Sequence, residues 1–189
     1  DDVGPDRLRA LAPAFKEWAR AGYHAPLLLS RREWSRSGDA FPIEITDIKS
    51  AHRVLRGADP VGGVEVDPAD LRGALERDLA SGLMRFRQAW ALHAAEPARL
   101  GEVARVAAAP MATLCRGVLA LAGRPVPASA DAAAREAAVL TGGAPDALAA
   151  VVGAKGRKGW KCPPETFERF LAAVDAAARY VDRFSPGDR

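Results

Sequence analysis

Apolar residues recur every three or four positions along most of this chain. From Asp67 onward Leu71, Leu75, Leu79, Leu83, Phe86 and Trp90 keep that spacing for about six turns, the strongest periodic signal in the sequence. Asp67 followed by Pro68 reads as an N-cap and a first helical residue. A second helical run covers Pro97 to Ala122, with Leu100, Val103, Ala107, Met111, Leu114, Val118 and Leu121 on one stripe. Pro110 is expected to kink or split it, and Gly123-Arg124-Pro125 to stop it. Short helices are predicted at about 129–140 and 145–152, separated by Gly142-Gly143. A last helix follows Pro163-Pro164 and runs to about Phe184, with Phe167, Phe170, Leu171, Val174, Val181 and Phe184 inward. Several striped helices with short links make a bundle.

The first third of the chain has a mixed pattern. Asp6 to Arg20 reads as a helix with Leu8, Leu11, Phe15 and Trp18 on one side, weakened by Pro13 and ended by Gly22. Pro26-Leu27-Leu28-Leu29 reads as a short buried strand, and Ser30 as the cap of a short helix through Trp34, with Glu33 completing a capping box. Phe41 to Ile48 is expected as a second strand, because Phe41, Ile43 and Ile45 alternate with Glu44 and Thr46. Ala58-Asp59-Pro60 and Gly62-Gly63 are turn chemistry, placing a boundary at 58–67. The expected fold class is α+β: a small partial mixed sheet with helices over 1–64, then an all-helical bundle over 65–189.

Composition narrows the picture only a little. A chain of 189 residues can bury roughly 70% of its unfolded surface and needs neither disulfide nor metal to fold. A net charge of +3 is too small to argue for nucleic acid. Cys115 and Cys162 form no disulfide framework, so a reduced, cytoplasmic protein is expected. No uninterrupted apolar run of membrane-spanning length stands out, and no membrane association is expected. Abundant alanine and scarce lysine suit a GC-rich bacterial gene. The first residue is Asp1 rather than Met, which suggests a fragment or a processed form.

The candidate chemistry centres on Glu44. A carboxylate between two isoleucines either faces solvent or needs a cation, because burying it unpaired costs several kcal/mol. Asp47 lies three residues on, and on a strand the two would point to opposite faces. Lys49, His52 and Arg53 follow closely and suit triphosphate contacts, although an exposed polar turn accounts for them equally well. Arg77, Arg85, Arg87 and Gln88 lie off the apolar stripe of the long helix. Arg85 is the one carried forward as a further phosphate or acceptor contact. Arg87 and His93 share the Arg-x5-His spacing of a ribonuclease signature, but six residues at about 100° each set them about 120° apart. Lys155, Arg157, Lys158 and Lys161 surround Trp160 in a basic loop that fits a solvated surface or a phosphate contact.

Several segments together resemble a family of predicted bacterial nucleotidyltransferases of the DNA polymerase β-like superfamily. They are Trp18, Pro26–Leu29, Phe41-Pro42-Ile43-Glu44-Ile45-Thr46-Asp47-Ile48-Lys49, His52 through Pro60, Glu76-Arg77-Asp78-Leu79, and Leu83 through Trp90. The likeness covers roughly residues 8–123. It implies a small catalytic α/β domain followed by a helical domain, as in kanamycin nucleotidyltransferases. It also implies Mg²⁺ held by three carboxylates, of which Glu44 would be the third, and transfer of a nucleotide from a nucleoside triphosphate to an unknown acceptor. Glu44 and Asp47 are then the catalytic candidates and Glu44 the metal ligand. The sequence departs from this pattern because no Gly-Ser turn followed by an acidic-x-acidic pair occurs in it. The rival expectation is a non-catalytic binding or dimerisation module. A nucleic acid and a homodimeric partner both stay open.

Overall fold

Six helices among the described residues begin at a proline, the residue whose missing N–H costs nothing in a first turn. The computed structural model describes residues 3–23 and 25–185. In chain order the helices are α1 (Pro5–Arg20), α2 (Arg31–Ser35), α3 (Ser37–Ala40), α4 (Pro42–Ser50), α5 (Pro68–His93), α6 (Pro97–Leu121), α7 (Ala130–Thr141), α8 (Pro145–Val152) and α9 (Pro164–Arg183). A short 3₁₀ turn, Val61–Gly63, precedes α5.

Among the described residues there is no strand and no sheet, so the expected α+β class is corrected to all-helical. Phe41–Ile48 is not a strand but the body of α4. Pro42 stands at its first position, and the Ile45 N–H donates to the Phe41 carbonyl at 2.9 Å. The helix buries Pro42, Ile43 and Ile45 together while Phe41 stays exposed. An alternation only five residues long does not distinguish a strand from a short helix with one wet side. Pro26–Leu29 is neither strand nor helix, and Leu27 is 76% exposed. A lone strand leaves its backbone groups without partners, so a sheet never starts here.

Capping residues act as their chemistry suggests. The Ser30 hydroxyl accepts from the Glu33 N–H while Glu33 accepts from the Ser30 N–H, a complete capping box on α2. Asp67 accepts from the Ala69 N–H at 2.7 Å at the start of α5. Gly123, with φ of 66°, closes α6: its N–H reaches the Ala120 carbonyl and the Arg124 N–H reaches Leu119. α6 runs unbroken through Pro110.

The core is the bundle of α5 to α9. α5 lies between α6 and α9, α6 also packs on α7 and α8, and α8 reaches α9. Phe86 meets Phe167 and Phe170 edge-on at 6.5 and 5.0 Å, and Trp90 stacks on Phe167 at 6.1 Å. Arg72 of α5 donates to the carbonyls of Asp182 and Phe184, satisfying acceptors left over at the C-terminal end of α9. α6 is long and apolar enough to cross a bilayer on length and composition alone. Half of its most apolar window is nonetheless buried against its neighbours, as in the core helix of a bundle. α4 packs on α5 and α6, whereas α1 has no buried residue and no extensive packing partner.

One contact sets how closely the α8–α9 connection approaches α6. Cys162 donates its N–H to the Pro97 carbonyl at 2.9 Å, and a Cβ on Gly101 would stand 1.9 Å from the Trp160 carbonyl oxygen. Gly101→Ala is therefore expected to destabilise the chain by about 1–3 kcal/mol despite its better helix propensity. Gly73→Ala in α5, with open space around it, is expected to stabilise by roughly 0.5–1 kcal/mol. Urea unfolding of both variants checks this, and shifts of the same sign would contradict the close approach.

Candidate functional site

The residues singled out from the sequence do not converge. Glu44 sits in the first turn of α4, exposed and with no hydrogen bond or ion pair among the described residues. Asp47, one turn further on, faces α6 instead. It takes the Arg116 guanidinium at 3.2 Å and the Thr113 hydroxyl at 3.4 Å. Its side chain is 28% exposed and that of Arg116 is 21% exposed, so this pair is half-buried. Lys49 donates Nζ to the Val64 carbonyl at 2.5 Å, tying α4 to the segment that leads into α5. His52 lies 3.1 Å from Asp59, whose other oxygen accepts the Val61 N–H at 2.9 Å. The Val61 N–H, and after it His52, hold the Asp59 carboxyl below its usual range. Arg53 is exposed in the loop after α4, and Arg85 is exposed on α5, away from all of these.

This set does not fit a magnesium ion. Mg²⁺ takes near-octahedral oxygens, usually from one or two carboxylates backed by phosphates and water. Among the described residues no three His, Cys, Asp or Glu side chains come together. Asp47 already spends both oxygens on Arg116 and Thr113, and Glu44 stands alone in solvent. The cysteines offer no nucleophile either. Both are free and buried, and burial pushes the Cys115 thiol up to about 12 and the Cys162 thiol up to about 11.

What the bundle does present is an open apolar groove between α5 and α6. It encloses about 450 Å³. Phe86 and Ala89 form its α5 side, and Val103, Val106, Met111 and Leu114 its α6 side. Gly82 adds depth because it contributes no side chain where α5 faces α6. Asp78, Arg85 and Glu102 add three charged side chains to its lining. Val106 is 68% exposed, which leaves an isopropyl group on show beside the groove floor. Pro110 also lines the groove and has no N–H, so the Val106 carbonyl lacks its usual helical donor.

Sequence reasoning identified Val103, Met111 and Leu114 as stripe residues; Met111 and Leu114 are indeed buried, Val103 only partly so, and the open groove above them was missed. Val106 falls off that stripe, and an exposed valine beside a proline within an apolar helix was the available signal. The basic loop expected at 155–161 does form, with Gly156 and Gly159 both at positive φ. Arg157, Lys158 and Arg105 border a shallower cleft of about 300 Å³ beside Trp160. Glu102 shares that cleft and is paired to Arg99 at 3.2 Å.

No family model, curated protein or solved structure matches the chain. Function has to be argued from the site itself. The Asp47–Arg116 pair is the clearest case of a candidate residue with a structural role. A double-mutant cycle of Asp47→Asn and Arg116→Met is expected to give a coupling energy of about 1 kcal/mol, with each single variant loosening α4 from α6. Zero coupling would contradict that role.

Proposed function

We propose that this chain is a non-catalytic helical binding module whose working surface is the α5–α6 groove. The observation that carries the reading is the groove itself: an open, mostly apolar trough along two long helices, lined also by Asp78, Arg85 and Glu102. Such a trough suits the apolar face of an amphipathic helix, which inserts residues spaced i, i+3, i+4 and i+7. Two carboxylates, Asp78 and Glu102, against the one cation Arg85 in its lining favour a basic flank on the guest.

The dispersal of the acidic candidates supports the same reading. Nucleotidyl transfer by metal ions needs carboxylates that converge on a shared point. Here Asp47 is held against α6 by Arg116, and Glu44 faces water. A reduced cytoplasmic setting belongs to the proposal and is supported by two free, buried thiols.

Fluorescence anisotropy with a labelled amphipathic helical peptide built from leucine and lysine tests the proposal. The chain is expected to bind it, and Val106→Asp is expected to weaken binding at least about ten-fold, or roughly 1.4 kcal/mol. Val106 is exposed, so the fold should tolerate that change. Indifference to the peptide, together with Mg²⁺-dependent nucleoside triphosphate binding that Glu44→Ala abolishes, would overturn the reading.

A further inference from the structure

We propose that the groove is filled by α1 of a second copy of this chain, so that two copies exchange their N-terminal helices. The inference rests on the groove being a helix-binding surface, and it names the occupant. α1 spans Pro5–Arg20 and carries Leu8, Leu11, Phe15 and Trp18 within one sector of its surface. None of its residues is buried and it packs extensively on no other helix, so the chain holds a formed amphipathic helix outside its own core. The same chain holds an apolar trough with no helix in it.

Three further observations favour a second copy. The first is charge. At about 100° per residue, Asp6 and Glu17 fall on the side of α1 opposite the leucines, while Arg7 flanks them. α1 therefore brings Arg7 close to a groove lined by two carboxylates, Asp78 and Glu102, against one cation, Arg85, and keeps its own carboxylates away. The second is continuity. Thr113 and Arg116 of α6 already hold α4, and Met111 and Leu114 of the same two turns line the groove, so the new contact would extend an existing one. The third is supply of surface. Nine of the thirteen large hydrophobic residues exposed among those described lie before residue 60, from Leu8 to Leu55. An arm so apolar needs cover, and reciprocal exchange of two arms would bury on the order of the 1,200–2,000 Å² of a stable interface.

Sedimentation equilibrium on the full chain tests the proposal with two surface variants, Phe15→Asp in the arm and Val106→Asp in the groove. Wild type is expected at twice its 20.0 kDa, and each variant alone at 20.0 kDa. Mixing the two variants restores one intact arm facing one intact groove. The mixture is then expected to give a dimer that dissociates at least about ten-fold more readily than wild type. A wild-type dimer that survives both substitutions, or a mixture that stays monomeric, overturns the exchange. A monomeric wild type also overturns it, and the leucine–lysine peptide then separates two failures. If the Phe15→Asp chain binds that peptide, the groove reading stands and only the occupant is wrong; if it does not, both readings fall.

Discussion

The structure depends on how much of α5 and α6 their neighbours can cover. Both helices are about 26 residues long and carry apolar side chains over more than one side. α9 takes one side of α5, and α7 and α8 take one side of α6. The side chains trapped in these seams, above all Phe86, Phe167 and Phe170, supply the burial that offsets chain ordering. Two long helices in contact also leave a furrow on each side of their seam. α4 packs against this pair through Ile43 and Asp47, and beside it the furrow remains open. The groove is what remains when a bundle is one helix short on that side.

That shortage gives the N-terminal arm its meaning. α1 is a helix by its own stripe, yet it buries no residue in the core, and Leu27 and Leu28 further along are themselves exposed. Exposed apolar surface at both ends of a potential contact is a free-energy deficit that association removes. Arg116, Thr113 and Lys49 have a different part. They fix α4 to α6 and to the segment before α5, and so decide where the arm leaves the bundle.

Much of the bundle could be read from the chain, for stated physical reasons. Asp67-Pro68 marks a helix start because a carboxylate can accept an orphan N–H where proline lacks one. Ser30 and Glu33 specify a capping box through two local hydrogen bonds, independent of anything distant. Phe41–Ile48 was less legible: its apolar residues are too few to separate a period of two from one near 3.6, and tertiary contacts with α5 and α6 decide the outcome. Burial of Ile43 and Ile45 on a helix removes the sheet on which the carboxylate reading of Glu44 depended. The groove was legible only in part. Its residues are apolar in the sequence, but whether a stripe residue meets another helix or water is set by the count of neighbours, which periodicity does not encode. Gly101 is the same kind of case, since its need for a missing side chain arises from Trp160, far away in the chain.

The two methionines of this chain permit a direct measurement of the central claim that the α5–α6 groove is the working surface. Met111 lies in the groove, while Met84 is exposed on α5 outside it. With both methyl groups labelled with ¹³C, NMR spectra are recorded as the leucine–lysine peptide is added to the Phe15→Asp chain. The account predicts that the Met111 resonance moves progressively to saturation while Met84 stays in place. A peptide that shifts Met84 and leaves Met111 unmoved would contradict it.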